Sequence, residues 1–165
     1  MHPSQTQYQA ILPTPFGALG ICLQDQYLKS IDLLPEQHDL QAPVDQATVD
    51  IVEALRAYLA DPYTPSSIEP LLEGTEFQRR VWHRLMQILP GETVTYGQLA
   101  QELQSSPRAV GNACRANPCP VVVPCHRVVG KYGLGGFAGK TSGPKLQMKI
   151  WLLSHEGVLP APSAA

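Results

Sequence analysis

The sequence predicts a mixed α/β (α+β) fold, in which a small N-terminal antiparallel sheet and one helix join a mostly helical C-terminal domain with a helix-turn-helix. Short β-type segments fill the first third of the 165 residues, whereas helical periodicity prevails in the second half. A segment with three prolines, residues 61–74, separates the two. We therefore predict two domains, residues 1–73 and 74–165.

The charge distribution divides the chain at the same place. Residues 1–75 carry ten acidic and two basic residues, and residues 76–165 carry four acidic and ten basic ones. The basic half indicates either a solvated surface or a polyanionic partner. No apolar run approaches the roughly 18 residues of a membrane span, and no signal peptide is evident, so we expect a cytoplasmic protein without a membrane partner.

The first third predicts two or three antiparallel strands. Candidate strands cover residues 8–12, 19–23 and 27–34, because apolar and β-branched residues cluster there. A turn with two prolines and a glycine at 13–17 and a polar turn at 24–26 separate them.

The pattern then changes to that of a helix over residues 44–60. Ala47, Ile51, Leu55 and Leu59 recur every four residues and form one apolar face. An Asp-Pro dipeptide ends this helix, since the residue before a proline disfavours helical geometry.

Two capping boxes mark helix starts in the second half. Thr75 with Gln78 begins a helix whose apolar positions continue to Leu89, and Thr95 with Gln98 begins a shorter one. The chain then predicts a third helix from Pro107 to Ala116, with Ser106 as its N-cap. The second and third of these helices describe a helix-turn-helix, although many packed helix pairs look the same. The small residues of the third helix fit either a nucleic-acid groove or a packed helix.

Of the four cysteines, Cys125 has the most suggestive neighbours. The spacing of Cys114, Cys119 and Cys125 lacks a C-x2-C pair, so we predict no structural zinc. Residues 121–123 predict a buried strand that ends just before Cys125 and His126. Neighbouring side chains on extended backbone face opposite ways, so contact would need a turn or a relay through one water. An inert buried thiol is the alternative.

A glycine-rich loop and a last helix complete the chain. Residues 130–139 contain five glycines and could wrap a flat ligand or simply turn corners. The helix that follows begins near Pro144 and ends before Gly157. Glu156, at its end, is by itself most simply a solvent-facing residue.

Together these blocks resemble the O6-alkylguanine-DNA alkyltransferases, also called methylated-DNA–protein-cysteine methyltransferases. The resemblance covers residues 75–158, about half of the chain. The motifs that carry it are Gly74-Thr75-x-Phe77-Gln78, Val81-Trp82, Tyr96-Gly97, Arg108-Ala109-Val110-Gly111, Asn117-Pro118, Pro124-Cys125-His126-Arg127-Val128, Gly135-Gly136-Phe137, Leu152-Leu153 and His155-Glu156-Gly157.

The resemblance implies a DNA-repair reaction. The protein would transfer the alkyl group of O6-alkylguanine, and of O4-alkylthymine, irreversibly to Cys125 in a single turnover and without a cofactor. His126 would act through a water as base, Glu156 would orient it, Asn117 would support the thiolate region, and Tyr96 would assist proton transfer to the departing guanine.

The partner implied is double-stranded DNA, bound in its minor groove by a monomer that flips the damaged base. Arg108 would fill the space that the base leaves. The other DNA-binding residues implied are Thr95, Tyr96, Ala109, Gly111, Ala113 and Arg115. The base pocket implied consists of Val128, Gly136, Phe137 and Ala138.

Departures and competing hypotheses remain. Many members have serine where this chain has Ala138, so a hydroxyl contact to the guanine O6 would be missing here. Some members bind zinc through N-terminal residues, but here that half offers only Cys22, His2 and His38, so we expect no metal. A non-catalytic alkyltransferase-like DNA-binding module is the alternative, but those proteins lack the acceptor cysteine. A cysteine hydrolase would need a distant histidine and leaves Arg108 without a role.

Overall fold

A computed structural model gives the structure of residues 7–136 and 142–159. It is a mixed α/β structure, as the sequence predicts. In chain order the elements are β1 (Ala10–Thr14), β2 (Gly17–Gln24), β3 (Tyr27–Leu34), α1 (Gln46–Ala60), α2 (Glu76–Leu85), β4 (Val94–Thr95), α3 (Tyr96–Glu102), α4 (Pro107–Arg115), a 3-10 turn (Cys125–Arg127), β5 (Val128–Val129) and α5 (Pro144–His155).

The N-terminal strands form an antiparallel sheet in the order β1-β2-β3. β3 has the predicted bounds, whereas β1 and β2 each differ by up to two residues from the prediction. Asp25 and Gln26 connect β2 to β3, and both have positive φ values, 51° and 72°. Such a two-residue turn matches the twist of the strands it joins and pairs Gln24 with Tyr27, and an irregularity between Cys22 and Leu23 shifts the register of the remaining pairs.

α1 covers one side of this sheet. Its N-cap is Asp45, whose carboxylate accepts a hydrogen bond from the backbone N–H of Thr48 at 2.9 Å. Ile51 and Leu55 of the predicted apolar face are buried, while Leu59 is only half-buried. Tyr58, next to Leu59 on the last turn of the helix, reaches the C-terminal half, where its hydroxyl donates to the carboxylate of Glu156.

Both predicted capping boxes are present. Thr75 and Gln78 exchange side-chain and backbone hydrogen bonds at the start of α2, and Thr95 and Gln98 do the same at α3. α2 ends at Leu85, however, so the prediction that it continues to Leu89 was wrong. Backbone bonds from residues 87 and 88 to residues 84 and 85 tighten the chain into turns there.

The predicted strand at residues 121–123 was also wrong. Val121 has a φ of 77°, which a β-branched residue rarely adopts, and the segment forms a tight turn. The side chain of Asn117 holds this turn, accepting from the N–H of Cys119 at 2.9 Å and donating to the carbonyl of Val123 at 2.8 Å. Val121 and Val123 are buried in the core, whereas Val122 is half-buried.

The buried apolar residues of both halves form one cluster. Leu12, Leu28 and Leu55 belong to it together with Trp82 and Leu152. A backbone hydrogen bond also links the halves, from the N–H of Ile31 to the carbonyl of Pro118 at 2.9 Å. The domain boundary after residue 73 stays a prediction. In the described part of the chain, no helix combines the length and apolar character of a bilayer span.

Candidate active site

Cys125 begins the 3-10 turn that follows the Asn117-held turn. Its side chain is buried, with 6% exposed, and its N–H donates to the carbonyl of Val123 at 2.8 Å. Burial raises the pKa of the Cys125 thiol, whereas a hydrogen bond from Asn117 and the charge of Lys149 act to lower it. The thiol is therefore held in place but protonated, and it needs a base to become a nucleophile.

His126 is fully buried beside it and is paired with Glu156. Its Nε2 lies 2.8 Å from Oε2 of Glu156, which is also fully buried. Nδ1 of His126 has no hydrogen-bond partner among the described residues, so it makes no direct bond to the Cys125 sulfur. The 3-10 turn replaces the extended backbone that we expected at this dipeptide. It places both side chains in the interior.

The expectation that Glu156, taken alone, faces solvent was wrong. Its carboxylate accepts four hydrogen bonds: one from His126, one from the Tyr58 hydroxyl at 2.5 Å, and two from Arg127 at 2.8 and 2.9 Å. Burial opposes ionisation, but these donors outweigh it and lower the pKa of Glu156 below its usual value. The carboxylate is ionised, and Arg127 balances its charge.

Burial lowers the pKa of His126 more than Glu156 raises it, so the imidazole is neutral near pH 7. Since Nε2 faces an ionised acceptor, the ring proton lies on Nε2. The lone pair of Nδ1 is then available to take a proton. The arrangement is a buried base with an orienting carboxylate, next to a buried thiol.

Sequence reasoning gave Arg127 no role, although its place beside His126 was a signal. Only 7% of the residue is exposed, and its Nη1 donates to the carbonyl of Ile88 at 2.5 Å while the other nitrogens hold Glu156. Tyr58 was also missed, and nothing in the sequence around it indicates contact with a residue 98 positions later.

Lys149 of α5 is the third residue missed. Its Nζ donates to the carbonyls of Val128, Leu134 and Gly136, at 2.8, 2.5 and 2.9 Å. Burial lowers the pKa of Lys149 to about 8, although the neighbouring thiols favour its charged form. A lysine on the inner face of an apolar helix was the available sequence signal. It joins the glycine-rich loop to the floor of the site.

Tyr96, the first residue of α3, lies on the other side of this loop. Its ring is 2.8 Å from where a Cβ of residue 135 would stand, so Gly135, with a φ of 73°, permits a close approach that no other residue would. Val128 is buried and Gly136 half-buried beside it. Phe137 and Ala138, the other predicted pocket residues, lie outside the described residues.

The predicted DNA-binding residues divide into two sets. Arg108 and Arg115 are exposed on α4, and a Cβ added at Gly111 would meet nothing within 4 Å. The prediction for Ala113 was wrong. It is 2% exposed, and its carbonyl accepts the indole N–H of Trp82 at 2.8 Å, so it faces the core.

The remaining predicted DNA-binding residues are only partly accessible. Thr95 and Ala109 are half-buried, as is Tyr96. The hydroxyl oxygen of Thr95 is occupied by the N–H of Gln98 at 3.0 Å. Within residues 7–136 and 142–159, no group of three or more His, Cys, Asp or Glu side chains is placed to hold a metal ion.

A cleft of about 400 Å³ lies between the proline-rich linker and the turn before Cys125. Tyr58 and Arg127 line it, but Cys125 does not. Its rim includes the exposed side chains of Tyr63 and Leu89. The cleft therefore adjoins the Glu156 cluster and does not reach the thiol.

Comparisons with known proteins agree on one family. A family model described as 6-O-methylguanine DNA methyltransferase, DNA binding domain, matches residues 76–158. The chain is 49% identical to the methylated-DNA–protein-cysteine methyltransferase of Salmonella typhimurium, over 90% of this chain and 94% of that one. It is 35% identical to the protein of the same name from Methanosarcina acetivorans, over 91% and 98%.

Solved structures give the same result. The crystal structure of Mycobacterium tuberculosis O6-methylguanine methyltransferase superposes with a TM-score of 0.75 at 32% identity, covering 92% of this chain and 94% of that one. A structure of Mycobacterium tuberculosis OGT in complex with DNA gives a TM-score of 0.75 at 33% identity, covering 89% and 91%.

Proposed function

Because the chain belongs to the methylated-DNA–protein-cysteine methyltransferase family, we propose that Cys125 accepts the alkyl group of O6-alkylguanine in DNA. The protein is a methyltransferase that repairs DNA by direct reversal, and DNA is its partner. The observation that carries the assignment to Cys125 is the buried chain of groups beside it: a neutral imidazole with a free Nδ1, held by an ionised carboxylate.

The reaction begins with removal of the thiol proton. Nδ1 of His126 accepts it through one water, because the ring makes no direct bond to sulfur. The imidazolium that forms is stabilised by Glu156, whose second oxygen remains paired with Arg127. Asn117 and Lys149 favour the thiolate at the same time.

The thiolate then attacks the alkyl carbon. A carbon–sulfur bond forms, the carbon–O6 bond breaks, and its electron pair passes to the guanine, which takes a proton with help from Tyr96. The product is a thioether, whose carbon–sulfur bond is stable to hydrolysis, so each protein molecule reacts once. O4-alkylthymine is a second substrate, because its alkyl carbon is also bound to an exocyclic oxygen of a base.

DNA must deliver the base into this buried site. The alkyl carbon is out of reach in a stacked duplex, so the nucleotide is flipped out. α4 approaches the minor groove with Ala109 and Gly111, Arg108 fills the vacated stack, and Arg115 contacts backbone phosphate. Val128 and Gly136 contribute to the pocket for the flipped base.

We also infer that the protein acts as a monomer in the cytoplasm. A free thiol nucleophile persists in a reducing compartment. The chemistry assigned here needs no group from a second subunit, and Cys125, His126 and Glu156 are all supplied by one chain.

The stoichiometry of repair tests the proposal. Protein is mixed with excess duplex containing O6-methylguanine, and the repaired guanine is counted. We expect one repaired base for each parent molecule and none for Cys125→Ser, because oxygen is a far poorer nucleophile. Cys119→Ser is the matched control and should repair like the parent.

Two outcomes would contradict the proposal. Binding without repair by the parent would favour the alternative, a non-catalytic alkyltransferase-like module. Repair of many bases per molecule would show that the alkyl group does not stay on the protein.

A further inference from the structure

Tyr58 brings a side chain of α1 into the relay beside Cys125. Its hydroxyl lies 2.5 Å from Oε2 of Glu156, across 98 positions of sequence. Burial and the charge of Glu156 both raise the pKa of Tyr58, so the hydroxyl keeps its proton and donates it. The tyrosine itself is anchored, because its carbonyl lies 2.8 Å from Nε2 of His155 and its ring packs edge-on against the ring of His155.

The acceptor of this bond is the same oxygen that serves His126. Besides the bond from Tyr58, Oε2 of Glu156 accepts hydrogen bonds from Nε2 of His126 at 2.8 Å and from Nη2 of Arg127 at 2.9 Å. Oε1 accepts a hydrogen bond from Nε of Arg127 at 2.8 Å. Three of the four donors therefore converge on Oε2 and one on Oε1, so Tyr58 and His126 share the more heavily bonded oxygen. Tyr58 therefore fixes the rotation of the carboxylate and takes a share of the charge that would otherwise act on His126.

We propose that Tyr58 is a positioning residue for the transfer reaction, which acts through Glu156 on the orientation and proton affinity of His126. The inference rests on the proposed function of this site. It makes the N-terminal half a contributor to the chemistry through one hydroxyl group.

Loss of the hydroxyl changes the proton affinity of His126 in a known direction. With one donor fewer on the carboxylate, more of its negative charge acts on the imidazole. The pKa of His126 therefore rises, and the ring stays protonated up to a higher pH. The groups that face His126 are Glu156 and Lys149 of the C-terminal helix region, the adjacent Arg127 and Cys125, and, through Glu156, Tyr58 of α1. Only the neutral ring accepts a proton, so the acid limb of the rate profile moves to higher pH.

The test compares two tyrosine-to-phenylalanine variants. Tyr58→Phe keeps the ring against His155 and removes only the hydroxyl. Tyr63→Phe is the matched control, because its hydroxyl donates to the backbone carbonyl of Glu156 at 3.0 Å and not to the carboxylate. Single-turnover transfer from O6-methylguanine duplex is measured from about pH 5 to pH 9, with DNA affinity and thermal unfolding measured alongside.

For Tyr58→Phe we expect a plateau rate lower by about tenfold, as for other groups that orient a catalytic residue, and an acid limb displaced to higher pH. DNA affinity should equal that of the parent, and Tyr63→Phe should keep the parent profile. A parent-like profile for Tyr58→Phe would overturn the inference. So would equal displacement in both variants, or a lower unfolding temperature without displacement of the acid limb.

Failure of the proposed function is distinguishable from failure of this inference. If the parent protein itself transfers no methyl group, both are wrong. If the parent transfers normally and Tyr58→Phe does too at every pH, only the role of Tyr58 is wrong.

Discussion

Replacing Glu156 by glutamine tests the buried cluster most severely. Arg127 donates three hydrogen bonds there, two to Glu156 and one to the carbonyl of Ile88, and its guanidinium is buried. An amide of the same shape removes the balancing charge and turns an N–H group towards Arg127 or His126, both of which are donors. Breaking one partner of a buried pair typically costs about 3–5 kcal/mol. We expect Glu156→Gln to lose that much stability.

The same substitution should slow transfer. The imidazolium formed during the reaction loses its carboxylate, and loss of an orienting group typically costs about 10–100-fold. The assays are urea unfolding for stability and methyl transfer at a temperature where the variant is folded. Glu102→Gln is the matched control, because its pair with Arg84 is solvent-exposed, at 2.7 Å, and should contribute only about 0–1 kcal/mol.

Acid adds an independent check on Glu156. Its pKa in the folded protein lies below the ordinary 4.5. A lowered pKa stabilises the fold above about pH 4.5, and this contribution is lost as the pH falls towards the folded value. The urea midpoint of the parent should therefore fall more between pH 6 and pH 3 than that of Glu156→Gln. If Glu156→Gln costs no more than Glu102→Gln and shows the same acid dependence as the parent, the reasoning is refuted.

Two further pairs of substitutions, each with its control, separate the DNA surface from the site. Arg108→Ala should slow reaction with duplex but hardly affect free O6-benzylguanine, which needs no flipping; an equal drop in both rates would mean that Arg108 supports the site itself. Arg115→Ala, its control on the same helix, should instead weaken binding to all DNA and reduce the salt slope by about one unit. Lys149→Met should slow reaction with both substrates, because it leaves three carbonyls of the glycine-rich loop region without their donor. Lys145 is the control, because its Nζ donates to the carbonyl of Leu33, away from the site. Lys145→Met should therefore react at the parent rate. Equal rates for Lys149→Met and Lys145→Met would show that Lys149 does not support the site.

Features with local causes were predictable from sequence. Both capping boxes and the Ser106 cap were confirmed, because a cap is a contact between residues three positions apart. The prediction of a strand at residues 121–123 was wrong because the conformation there depends on contacts that are not local. The side chain of Asn117 and the surrounding core impose a turn there, and tertiary contacts override the preference of a β-branched run.

The same distinction applies to the site. Cys125 and His126 are neighbours in the chain, and the resemblance to the family implied that Asn117 supports them. Tyr58 and Lys149 reach the site only through the fold. No local pattern indicates Tyr58, whereas the position of Lys149 on the inner face of an apolar helix was a signal that it is unusual.

The prediction that Ala113 contacts DNA was wrong because a small residue suits a DNA groove and a helix interface equally well. Only the packing of α2, through the hydrogen bond from Trp82, shows that this side of α4 faces inward.

The destination of the alkyl group shows most directly whether Cys125 is the acceptor. Duplex containing O6-methylguanine with a deuterated methyl group is incubated with the parent protein, which is then digested and its peptides are analysed by mass spectrometry. We expect one labelled methyl group per molecule, on the peptide with Cys125 and attached to its sulfur. A label on Cys114 or Cys119, or a repaired duplex with an unlabelled protein, would contradict it.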